Sequence, residues 1–240
     1  MLSKAISLNL KIGKDDFSKA IGISAAGYAL ASLAGGIPLA ISLIIVTVFC
    51  IKGLNCIFST SLFDNQGTFY MALPLSEKEI VLSKVAAGSI YMLLLDLVSV
   101  SAIFAITILS YLIGLDVTEI LMSPLQQYMD LHMTAGQIAV LMGLSPLKML
   151  LQQVFFCSFA MAALLSFNLI KPGKLSVVAW LVIFGINAAV SSGITAVTGK
   201  LVGSGFNIFL LEGLTDILYV VVIAVLLSYS SKALCSKYNI

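Results

Sequence analysis

Long apolar stretches separated by short polar breaks set the pattern of this chain. Residues 17–51 are almost continuously apolar, yet one helix of that length would reach about 50 Å, well past a hydrocarbon core about 30 Å thick. The breakers Gly35-Gly36-Ile37-Pro38 interrupt the run, which predicts two spans, 18–34 and 38–58. Further stretches predict spans at 85–114, 146–169, 175–197 and 208–230, giving six transmembrane helices in an all-α membrane protein. No soluble domain or internal repeat stands out, so 1–240 reads as one membrane domain. Ahead of the first span, Leu2, Ile6 and Leu10 recur every four residues with Lys4, Ser7, Lys11 and Lys14 between them. That spacing predicts an interfacial amphipathic helix over 1–16. The polar segment 115–145 carries Pro124, Gln126, Gln127, Tyr128 and His132, then an apolar piece, 138–144, too short to cross. It reads either as a re-entrant element or as an extension of the fourth span kinked at Pro146.

Composition agrees with the pattern. The chain is 60% hydrophobic with a mean hydropathy of +1.10, and charged residues make up 10%, against about a quarter in soluble domains. All 13 basic residues are lysines and the net charge is +2, so there is no basic, aromatic-laced face for nucleic acid. Lys4, Lys11, Lys14, Lys19, Lys78, Lys84, Lys171, Lys174, Lys232 and Lys237 all fall on one side of the six-span plan, and only Lys148 and Lys200 on the other. The positive-inside rule then predicts cytoplasmic termini and a cytoplasmic 60–84 loop. The N-terminus lacks a small-residue cleavage pattern and is expected to be retained. Cys50, Cys56, Cys157 and Cys235 show neither metal-ligand spacing nor clustered pairing.

Catalytic signatures are missing. Gly193 to Leu201 approaches a phosphate-binding loop, but it has five residues between its glycines and Leu201 where a Mg²⁺-binding hydroxyl belongs. The chain is therefore expected to be a non-enzyme that does not hydrolyse ATP alone, and His132, the single histidine, has no partner for a zinc or catalytic site. Asp96 falls near mid-membrane in the third span, where an acid costs at least ~2.5 kcal/mol unless paired or wetted. It reads equally as a pathway residue or as an acid satisfied by a neighbouring helix. Gln152, Gln153 and Asn187 could line the same interior or bond between helices. Glu212 and Asp216, spaced i and i+4, read as solvated charges at a helix start or as an acidic vestibule. Gly27, Ala31 and Gly35 form a small-xxx-small packing face.

The 60–84 loop must leave the lipid. In it Leu73-Pro74-Leu75 is followed by Ser76-Glu77-Lys78-Glu79; Pro74 suits a first helical turn, Glu77 and Glu79 suit its positive end, and Leu73, Leu75, Ile80 and Leu82 supply apolar anchors. The order Gly67, Phe69, Tyr70, Leu73-Pro74-Leu75-Ser76, then Ser83-Lys84 at the next span, resembles the signature loop of small bacterial type-2 ABC exporter permeases. It departs from the commonest form in having Asn65-Gln66 before Gly67 and Thr68 before the aromatics. The resemblance implies a permease in the bacterial cytoplasmic membrane whose loop forms a coupling helix seated on a separate ATPase. Gly67, Phe69, Tyr70, Leu73, Pro74, Leu75, Ser76, Glu77, Lys78, Glu79 and Lys84 would carry that coupling. It also implies two ATPase copies that hold the ATP and Mg²⁺, a second permease copy or sister permease, and peptide or amphipathic cargo. The competing readings are a secondary transporter or channel-like or immunity membrane protein without an ATPase, and a membrane-embedded enzyme. Symmetric halves with broken helices would mark a transporter, and convergent catalytic groups an enzyme; neither is present.

Overall fold

The computed structural model describes residues 1–34, 36–60, 75–112, 135–167 and 174–238. They form α1 (Leu2–Ala34), α2 (Gly36–Asn55) ending in a π-helical turn (Cys56–Thr60), α3 (Glu77–Leu112), α4 (Ala135–Ser166), α5 (Lys174–Gly203) and α6 (Ile208–Tyr238). Among the described residues there is no strand. Five helical stretches, all but α1's, are long and apolar enough to cross a bilayer. The chain is a multi-pass membrane protein.

The first helix corrects two expectations. A separate interfacial helix over 1–16 and a span at 18–34 are one unbroken helix, Leu2–Ala34. The face it buries is also different: Ala5, Asn9, Gly13, Phe17, Ala20, Ser24 and Gly27 point inward at steps of three and four, whereas Leu2, Ile6 and Leu10 are half-buried on its flank. Small residues let backbones approach closely, and in a lipid-facing protein that packing outweighs hydrophobicity in choosing the inner face. A Cβ on Gly27 would sit 1.9 Å from Ser42 Oγ of α2, and one on Gly53 of α2 would sit 2.5 Å from Phe17. α1 is tied to α3 as well. Phe17 stacks on Tyr91 at 4.3 Å, Asn9 donates to Ser83 at 3.2 Å, and Tyr91 donates to the Leu10 carbonyl.

The loop boundary moves too. The third span was expected at 85–114, but α3 begins at Glu77 and so absorbs the last residues of the 60–84 loop. Ser76 is its N-cap. Ser76 N and Oγ donate to Glu79 Oε2 at 2.9 and 3.0 Å, and Glu79 N donates back to Ser76 Oγ at 3.4 Å, which makes a capping box. The segment 135–145 is an N-terminal extension of α4, continuous across Pro146.

Buried side chains gather at one end of the bundle. The core joins the second half of α2 (Leu54, Ile57, Phe58), the first half of α3 (Ile80, Val81, Val85), the end of α4 (Phe156, Met161, Leu165) and the start of α5 (Trp180, Ile183) to Ala233 and Leu234 near the end of α6. Trp180 meets Phe58 edge-on at 5.7 Å. Toward the other end the helices expose large apolar side chains such as Leu112, Val140, Val197 and Ile217. α5 is the most loosely held: 6% of its span is buried inside the protein, against 44% of α4's. The bundle therefore has a packed end and an open end.

Candidate functional site

The space that the loosely held α5 leaves against α4 and α6 is found as two cavities of differing chemistry. Nearer the packed end it is a groove of about 530 Å³ walled by Ala163 of α4, Phe167 just after it, Val182 and Ile186 of α5 and Leu226 of α6. Its polar groups are Ser166 and Tyr229, whose hydroxyls bond each other at 2.9 Å. Nearer the open end it is a polar cavity of about 270 Å³.

Helical spacing builds that polar half. Lys148 and Gln152 are one turn apart on α4; Ser191, Thr195 and Thr198 line one face of α5; Glu212, Thr215 and Tyr219 do the same on α6. The Lys148 ammonium donates to Glu212, a partly exposed ion pair that ties α4 to the start of α6. Thr195 and Thr215 donate their hydroxyl protons to the Ser191 and Leu211 carbonyls of their own helices at 3.0 and 2.8 Å. A hydroxyl so engaged offers the cavity only lone pairs. Tyr219, 5% exposed, forms the floor. Asp216, one turn along α6 from Glu212, keeps its Oδ1 buried and without a hydrogen-bond partner among the described residues.

The six residues weighed as pathway candidates are divided. Gln152 and Glu212 line the cavity, and Asp216 lies beside Glu212. Gln153 faces the other way and donates to Asp96 Oδ2 of α3 at 2.5 Å. Asn187 is half-buried on α5 and belongs to neither cluster. In the sequence Lys148 enters only the charge distribution, and the α5 hydroxyls and Tyr219 belong to no motif. Their signal was present in the sequence as polar residues at i, i+3, i+4 and i+7 on three apolar helices.

Of the expected coupling residues, Gly67, Phe69, Tyr70, Leu73 and Pro74 lie outside the described residues. Leu75 packs against the core, Ser76 and Glu79 form the cap, and Glu77 and Lys78 lie beside them, Lys78 exposed. Lys84 is 0% exposed and donates to the Ile57 carbonyl of the π-helical turn at 2.5 Å. Ile80 is likewise in the core. Both therefore hold α3 to α2 rather than face outward. No group of three or more His, Cys, Asp or Glu able to hold a metal occurs among the described residues. No family model, curated protein or solved structure matches this chain.

Proposed function

We propose that this chain is the transmembrane subunit of an ATP-driven exporter in a bacterial cytoplasmic membrane, coupled to a separate ATPase through the segment that ends at Ser76. In this reading α1 continues from a surface-lying start into a sixth span, the packed end and both termini are cytoplasmic, and a second permease completes the pathway. Peptide or amphipathic cargo is the class this reading implies, and the apolar and polar cavities beside α5 support it. The observation that carries the reading is how the segment's end is anchored. A capping box starts α3 beside exposed Lys78, and within two turns Ile80 and Lys84 are buried in the core. A push at Ser76 would thus reach α1, α2 and α4 without slack.

The test replaces residues other than those of the described core. Leu75 packs inward, so the informative variants are Leu73→Asp and Lys78→Glu. A charge placed in a desolvated partner groove costs several kcal/mol, and interface energy concentrates in a few anchors. Leu73→Asp should lower co-purification of the ATPase about tenfold or more, while Lys78→Glu should leave the complex assembled and weaken cargo-stimulated hydrolysis. A fully coupled complex in both variants would refute the assignment. Transport by the purified chain with no ATPase present would put the secondary-transporter reading in its place.

A further inference from the structure

The apolar groove between α4, α5 and α6 ends where two of its helices turn polar at one level. From Ile217 to Leu227 α6 carries no polar side chain but Tyr219, and then it reads Ser228-Tyr229-Ser230-Ser231-Lys232. On α4 the apolar stretch 159–165 ends at Ser166. The Ser166 and Tyr229 hydroxyls bond each other at 2.9 Å, so α4 and α6 reach this boundary together, at a depth where hydroxyls and amphipathic rings meet lipid headgroups. From there the groove extends along α5 from Val178 to Ile186, about 12 Å at the helical rise and most of the roughly 15 Å that one leaflet's chains occupy. Apart from Ser166 and Tyr229, every residue lining it is apolar. Tyr229 also lines an open hollow of about 440 Å³, together with Ser228 and Lys232. Lys232 is exposed there and has no ion-pair partner among the described residues.

We propose that the groove and the hollow, joined at Tyr229, hold one anionic phospholipid, with an acyl chain in the groove and the headgroup phosphate on Lys232. An acyl chain needs no hydrogen bonds, which matches a wall whose two hydroxyls already bond each other. An extended peptide laid there would leave its backbone groups unsatisfied. The length of the groove matches one leaflet and the cation stands at its polar end, so chain and head are met in the order in which a lipid presents them. A lysine free of ion pairs at headgroup depth favours a lipid of net negative charge over a zwitterionic one, whose own ammonium competes for the phosphate. The chain also gives α5, 6% of whose span is buried inside the protein, the apolar neighbours that the other helices do not supply. The site needs neither an ATPase nor cargo and stands apart from the exporter reading.

Trp180 is the single tryptophan of the chain, and Ala179 beside it and Ile183 one turn on both line the groove. A brominated chain seated there will quench its fluorescence. The experiment titrates the purified full chain, in nonionic detergent, with phosphatidylglycerol brominated at mid-chain and, in parallel, with phosphatidylcholine bearing the same chains. Saturable quenching by phosphatidylglycerol, about fivefold tighter than by phosphatidylcholine, is expected. Lys232→Gln, at an exposed position, should abolish that preference and leave the phosphatidylcholine curve unchanged, while Lys232→Arg should keep it. Val182→Phe fills the groove from a wall residue that is 54% exposed, and it should weaken quenching by both lipids at an unchanged Tm. Quenching that does not saturate, equal response to the two lipids, a preference that survives Lys232→Gln, or quenching indifferent to Val182→Phe would each overturn the proposal. Light scattering tests the remaining occupant: a dimer that keeps lipid out of the groove and that Val182→Phe dissociates would give the groove to a second copy of the chain and overturn the lipid site.

Discussion

Gly27 shows how little tolerance a single position can have. Its missing side chain lets Ser42 of α2 approach so closely that an added Cβ would lie 2.3 Å from Ser42 Cβ as well as 1.9 Å from its Oγ. Gly27→Ala should cost about 1–3 kcal/mol, read as a lowered Tm in detergent, and Ser42→Gly should recover most of it in the double variant. Additive losses would place the strain elsewhere. Asp96 is a different kind of residue, half-buried and already engaged by Gln153. Its amide isostere can both donate and accept, so Asp96→Asn should accumulate and melt like the wild type. Asp96→Leu should strand Gln153 and cost about 1–2 kcal/mol. Transport assayed at equal expression then separates the roles: a loss in Asp96→Asn marks a pathway residue, and unchanged transport leaves it as a link between α3 and α4.

At the scale of elements, helix ends and helix faces had different legibility. The Ser76-x-x-Glu79 spacing suits a capping box, yet reading Pro74 as the first helical residue puts the start three residues ahead of Glu77. Reciprocal bonding decided it. Ser76→Ala should remove the cap and cost about 1 kcal/mol, seen as faster amide exchange in the first turn of α3. Glu79→Gln, which can still accept from Ser76, should change it little. The face of α1 was harder to read. Hydrophobicity alone selects Leu2, Ile6 and Leu10, while the protein buries Ala5, Asn9 and Gly13, because what fits beside α2 and α3 is set by volume.

For the whole molecule, the packed end and the open end are the main asymmetry. The lysine distribution predicts the orientation: single cysteines at 65, 173 and 236 should label only from the cytoplasm and one at 120 only from outside. The background must first lose Cys50 and Cys157, which are buried, along with Cys56 and Cys235. Alanine or valine suits the buried pair, since a thiol there behaves as a small hydrophobe. Outside labelling at 65 would overturn the six-span plan and with it the cytoplasmic coupling segment.

The sequence by itself determined the helical class, the approximate extents of five apolar spans and the absence of a phosphate-binding loop. These depend on local hydropathy, length and breaker residues, and each is a property of a contiguous stretch. Only the tertiary structure decided which residues share a site. Gln152 and Gln153 are neighbours in sequence but serve different faces of α4, one lining the cavity with Glu212 and the other bonding Asp96. Lys148 and Glu212 are far apart in the chain and in contact in the fold. Helix rotation and pairing are set by the close fit of small residues such as Gly13, Gly27 and Gly53 against partners from other helices. A pattern along one strand of sequence carries no information about the volume waiting on the facing helix.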